Sequence, residues 1–94
     1  MPADGTWRGS STRFQADARS CPRPGLVTLR VLENRFQFRW DARTWIDATI
    51  DANGTVHGEG PGISLLGKRD RDRMEGDVTN GICGLHFTAV RKDQ

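Results

Sequence analysis

Apolar and polar residues alternate along almost the whole chain, and no stretch long enough for a helix carries a 3.6-residue period. Val27, Leu29 and Val31 alternate with Thr28, Arg30 and Leu32. Phe36, Phe38 and Trp40 alternate with Arg35, Gln37 and Arg39, and Ile46, Ala48 and Ile50 with Asp47, Thr49 and Asp51. Leu85, Phe87 and Ala89, following Cys83, do the same against His86, Thr88 and Val90. Successive side chains on a strand point to opposite faces, so each run reads as a strand with one buried and one wet face.

Turn residues fall between the runs. Pro22-Arg23-Pro24-Gly25, Glu33-Asn34, Asp41-Ala42-Arg43, Asn53-Gly54, Gly60-Pro61-Gly62 and Asn80-Gly81 each interrupt the alternation, and the mixed-charge run 68–73 reads as an exposed hairpin tip. Asn53-Gly54 is the strongest hairpin signal, because a type I′ turn needs positive φ twice and both residues tolerate it. The spacing predicts strands at 5–14, 26–33, 35–41, 44–51, 55–59, 63–68, 73–79 and 82–91. The predicted fold is all-β: a single small antiparallel up-and-down β-barrel of about eight short strands, with no substantial helix, forming one domain over 1–94. Closure removes both sheet edges. Gly9, Gly58, Gly67 and Gly76 lie inside strand patterns, where glycine is tolerated if the strand bends or another backbone comes close. A barrel of this size is just wide enough to be filled by side chains. The expected core is Trp7, Val27, Leu29, Val31, Phe36, Phe38, Ile46, Ala48, Ile50, Val56, Leu65, Met74, Val78, Leu85 and Phe87.

A domain of 94 residues buries only about 60–65% of its unfolded surface, so its core alone is marginal. The two cysteines, Cys21 and Cys83, span most of the chain. A disulfide between them ties the start of the second strand to the start of the last and points to export; two free, buried thiols are the rival reading. There is no CxxC and the two histidines lie far apart, which excludes the usual zinc spacing; no metal or cofactor is expected. No apolar run reaches membrane-spanning length. No apolar leader precedes Gly5, so export implies that a signal has been removed and that Met1 is not part of the natural chain.

Net charge is +2, too small to imply a polyanion partner, and nucleic acid is not expected. Residues 1–43 carry eight arginines against four acids, while residues 44–94 carry six bases against eight acids. The plain account is a solvated surface with opposite charges on neighbouring strands. Arginine outnumbers lysine 12 to 2, a bias read as the codon usage of a GC-rich bacterial genome.

Catalytic patterns are absent: there is no GxSxG elbow, HExxH or phosphate loop, and Cys83 and His86 alternate to opposite faces. Asp47 and Asp51 share a face beside Arg35 and Arg39, which predicts a surface ion-pair ladder rather than acid–base catalysis. His57 and His86 are expected to face solvent. Trp40 and Trp45 flank the turn after the third strand, with Arg39, Asp41 and Arg43 around them. An indole beside a guanidinium suits a sugar, a carboxylate or a partner protein. Arg39, Trp40, Arg43 and Trp45 are therefore the candidate ligand-binding residues, with Trp40 read also as a plug of the barrel end.

The layout of Gly5-Thr6-Trp7-Arg8-Gly9, Cys21, Leu26–Val31, Asp51-Ala52-Asn53-Gly54-Thr55-Val56, Met74-Glu75-Gly76 and Cys83 resembles small exported proteobacterial β-domains of unassigned function. Gly5-Thr6-Trp7 is also similar to the first strand of avidins and lipocalins, although this chain is much shorter. The resemblance implies fold and export, not activity. The expected function is a non-catalytic, periplasmic or secreted binding module contacting a partner protein or an envelope component such as a glycan. The alternative is a secreted inhibitor of a hydrolase, a protease or lysozyme, presenting the polar segment Ser10–Arg23.

Overall fold

The alternating runs become strands because only an extended chain sends all their apolar residues to one side. A computed structural model describes residues 3–17, 19 and 21–92 and contains β1 (Gly5–Ala16), β2 (Leu26–Val31), β3 (Arg35–Arg39), β4 (Trp45–Ile50), β5 (Thr55–Gly60), β6 (Ile63–Asp70), β7 (Arg73–Thr79) and β8 (Cys83–Arg91). Residues 1, 2, 18, 20, 93 and 94 lie outside the described residues, and with them Met1 and part of the Ser10–Arg23 segment. All ladders are antiparallel, in the order β2-β1-β8-β7-β6-β5-β4-β3. The sheet curls into a nearly closed barrel of the predicted all-β, up-and-down kind. Every predicted core residue is buried, joined by Ala3, Trp40, Ile63, Ala89 and both cysteines. No charged or polar side chain is buried among the described residues. The interior is filled rather than hollow, with the Phe38 and Phe87 rings 5.1 Å apart.

Tight curvature brings neighbouring backbones together. A Cβ on Gly58 would stand 2.5 Å from the Asp47 carbonyl oxygen, and one on Gly67 would stand 2.7 Å from the Cα of Gly76, its cross-strand partner. Only glycine leaves room at these two places.

Closure differs from expectation. The first and last strands close the barrel through a ladder running from Trp7↔Arg91 to Ala16↔Cys83. The opening lies instead between β2 and β3, which are joined by a turn but share only the isolated bridge Leu32↔Arg35. Glu33 and Asn34, with φ of 54° and 62°, form a tight I′-type turn, and Leu32 and Arg35 exchange hydrogen bonds of 2.9 and 3.0 Å. Beyond that bridge the strands diverge. The inward row of β3 is aromatic (Phe36 and Phe38, continued by Trp40), and that of β2 is aliphatic (Val27, Leu29, Val31). Both edges persist.

Two turn readings are corrected as well. At Asn53-Gly54 only Gly54 has positive φ, 91°, and Gly54 N–H donates to Asp51 O while Asp51 N–H donates to Thr55 O. This is a three-residue connection with glycine in the left-handed position, not a I′ turn. The tip in 68–73 shrinks to Arg71-Asp72, because β6 runs through Asp70 and β7 begins at Arg73.

Cys21 and Cys83 are disulfide-bonded. Cys83 opens β8 as expected, but Cys21 lies in the connection ahead of β2 rather than at its start. The bond pins that connection against the start of β8. Ser11 N–H donates to Gly25 O at 2.8 Å and an Arg13 guanidinium N–H to Pro22 O at 3.2 Å, so the connection folds back along β1. At the opposite end Ala3 is fully buried and accepts the Trp7 indole N–H at 2.8 Å, while its own N–H donates to the Asn34 side chain at 3.1 Å.

Reducing the disulfide should lower Tm by many degrees in a calorimetric scan. The 62-residue separation corresponds to about 4 kcal/mol of denatured-state entropy, and a domain this small shifts by roughly 4–8 °C per kcal/mol. An unchanged Tm on reduction would show that the bond constrains nothing that unfolds.

Register makes a second expectation. Phe38→Asp should abolish the folded circular-dichroism spectrum, since it puts an unpaired charge in a dry core. Arg35→Asp, on the outer row of the same strand, should cost no more than about 1 kcal/mol in urea denaturation. Equal damage from both would mean that the two rows are misassigned.

Candidate functional site

Of the four residues singled out by their chemistry, Arg39 and Trp45 lie on the outer faces of β3 and β4. Arg39 and Trp45 are cross-strand partners, and the Arg39 guanidinium carbon lies 5.7 Å from the indole centroid. Trp45 is 51% exposed, so one indole face is open to a ligand. Trp40, one residue beyond Arg39, belongs to the inward row and is only 6% exposed. It closes the barrel end, and the structure does not bring it to the same surface as Trp45. Arg43 is exposed in the turn between β3 and β4, and its main-chain N–H donates to Asp41 Oδ1 at 2.9 Å. Arg39 Nε–H donates to the Asp41 carbonyl at 3.2 Å. The turn thus holds Arg39 over Trp45 and leaves the Arg43 guanidinium in solvent.

The opening between β2 and β3 extends this corner into a groove, which sequence pattern alone did not reveal. Its larger part, about 810 Å³, is lined by Thr28, Arg30, Leu32, Arg35, Gln37, Trp45 and Asp47, with Phe36 and Ala48 at its floor. A smaller part of about 310 Å³ lies between Leu26, Val27, Leu29, Phe38, Arg39 and Trp45. Leu26 and Leu32, at the two ends of the β2 edge, are 95% and 67% exposed. Together with Trp45 they place exposed apolar side chains around the groove. The signal available in the sequence was the presence of Leu26 and Leu32 on the wet row of β2.

The predicted ion-pair ladder does not form. Arg35 stands opposite Thr49, Gln37 opposite Asp47 and Arg39 opposite Trp45. Asp47 is taken by the Gln37 amide at 3.0 Å, and Asp51, beyond the end of β4, by His57 at 3.2 Å. The β3–β4 register is two residues away from the one the ladder needs, so Arg35 is exposed beside the groove without a carboxylate partner among the described residues; Arg30, on β2, likewise has none. His86 faces outward between Asp77, at 2.6 Å, and Glu75, at 3.6 Å. No cluster of three or more His, Cys, Asp and Glu side chains that could hold a metal ion occurs among the described residues. The Ser10–Arg23 segment is not one extended loop: Ser10–Ala16 lies in the β1–β8 ladder, and Cys21 is tethered.

No protein-family model, curated protein or solved structure matches the chain. The functional reading therefore rests on the geometry.

The Asp41 carboxyl is held below its ordinary value. The Arg43 main-chain N–H is the chief cause; desolvation opposes it, while bonds from Thr44 and the charge of Arg39 assist. Because the folded value is the lower one, the bonds made by the carboxylate help above the ordinary carboxylate range and are lost as pH falls through the lowered value. The Arg43 amide resonance and its hydrogen-exchange protection should then titrate together at a pH below that of an unperturbed aspartate. Asp41→Asn should abolish the titration, and a titration at the ordinary aspartate value would contradict this account.

Proposed function

We propose that the protein is a non-catalytic binding module that contacts a partner protein or an envelope component through the groove between β2 and β3. One observation carries this reading. Three large apolar side chains, Leu26, Leu32 and Trp45, are exposed around one groove whose neighbouring arginines, Arg30 and Arg35, have no carboxylate partner among the described residues. Aromatic and arginine side chains with an apolar surround are the usual anchors of small interfaces. Arg39 and Trp45 form the stacked anchor, with Arg43 beside them as a second guanidinium free to meet a carboxylate or a ring. Trp40 supports the site from below as part of the core.

A persistent disulfide in a domain this small fits an oxidising compartment, so the module acts in the periplasm or outside the cell. That placement agrees with the resemblance to small exported bacterial β-domains.

The test uses purified protein as bait for periplasmic or culture-supernatant extract, followed by calorimetry with the partner so identified. Trp45→Ala should weaken binding by about 2 kcal/mol or more, with Tm almost unchanged because the indole lies on the outer row. If Trp45→Ala instead lowered Tm sharply and left affinity intact, the indole would be structural and the groove would not be the binding site.

A further inference from the structure

We propose that the open seam takes an extended acidic segment of a partner protein as an added β-strand. This rests on the binding reading above and names its ligand. The first support is main-chain geometry. In an antiparallel ladder, residues turn their N–H and C=O groups alternately to one side and the other. Asn34 O accepts from Ile50 N–H and Trp40 N–H donates to Thr44 O, so the even-numbered residues of β3 serve the β4 side. Gln37 and Arg39 therefore turn their main-chain groups to the seam. On β2, Ser11 N–H donates to Gly25 O, which puts the odd-numbered residues on the β1 side and turns Thr28 and Arg30 to the seam. Beyond the Leu32–Arg35 bridge these groups have no ladder partner among the described residues. A row of free N–H and C=O groups at strand spacing is a template for another strand. Because the hairpin is joined at Glu33-Asn34, the seam opens toward Leu26 and Trp45, and a strand enters from that end.

The second support is charge. The outer row along both edges carries Arg30, Arg35 and Arg39. Another copy of this chain would set arginine against arginine, which like-charge pairing across strands disfavours. An acidic strand meets the opposite sign. The third support is the lining. An added strand alternates, so one of its rows lies over Leu29 and Phe38 in the seam floor while the other lies beside the arginines. The ligand is thus a segment alternating apolar with acidic residues.

The experiment titrates the protein with a short synthetic peptide alternating Val and Glu, labelled for fluorescence anisotropy. A Val–Lys counterpart and a Val–Glu peptide N-methylated at alternate residues serve as comparisons. The Val–Glu peptide should bind and weaken with salt, and both comparison peptides should be at least about tenfold weaker. Gln37→Pro removes one seam-facing N–H while sparing the β3–β4 ladder, and it too should cost about tenfold. Should that variant not fold, the N-methylated peptide removes the same class of bond from the ligand side. Failure of the Val–Glu peptide to bind, equal binding of Val–Lys, or indifference to both Gln37→Pro and N-methylation each overturns the proposal. So does a dimer in sedimentation velocity that Gln37→Pro dissociates, since the occupant would then be a second copy. If the peptide fails while a captured partner still depends on Trp45, strand addition falls and the binding reading stands.

Discussion

Eight strands joined by seven ladders leave one gap in a closed wall, and the pairing of β1 with β8 decides where the gap lies. That pairing is the longest in the molecule, running from Trp7↔Arg91 to Ala16↔Cys83. It joins the chain's first and last strands, so its loop-closure cost is the largest of any ladder. Both ends are secured. Near one end the Cys21–Cys83 bond fastens the β1–β2 connection to the first residue of β8. Near the other, the Arg91 guanidinium lies 5.8 Å from the Trp7 indole centroid and donates to the Asp4 carbonyl. With the terminal strands held together, the gap falls between β2 and β3, which share a single bridge among the described residues.

The parts of the fold legible in sequence are those governed by local period. Which side each strand buries followed directly from alternation, and the core list needed only additions such as Ile63 and Ala89. Glycines within strands correctly marked close backbone approach, as Gly67 facing Gly76 shows. Turn types were less legible, because they depend on which residues pair across the turn. Asn53-Gly54 has I′ composition, yet Asp51 pairs past it to Thr55; Glu33-Asn34, with weaker composition, adopts positive φ at both residues.

The candidate site was only half legible for the same reason. The Arg39–Trp45 pair could be read from proximity across a short turn. Trp40 followed its own alternation inward, and that signal outweighs its closeness to Trp45 in sequence. The ion-pair ladder failed because face assignment is local while register is not: Asp47 faces Gln37, one outward step away from either arginine. The groove was illegible because it depends on where two strands joined by a tight turn stop pairing, which alternation within either strand does not encode. No residue in the Glu33-Asn34 turn announces that the strands beyond it will part.

The arginines of the seam gain meaning from this register. In a zipped β2–β3 hairpin, Arg30 would stand opposite Gln37 and Thr28 opposite Arg39, and their main-chain groups would be spent on each other. In the observed barrel the same residues leave their seam-facing backbone groups unspent among the described residues, and the charges along the outer row of both edges are those of Arg30, Arg35 and Arg39. Exposed edges invite aggregation, and charged side chains along them are one way natural sheets discourage it. A row of a single sign discourages only partners of that sign. The feature that keeps the open barrel from pairing with its own kind therefore also selects what can pair with it: a strand that brings carboxylates to the outer row and apolar side chains to the gap above Leu29 and Phe38.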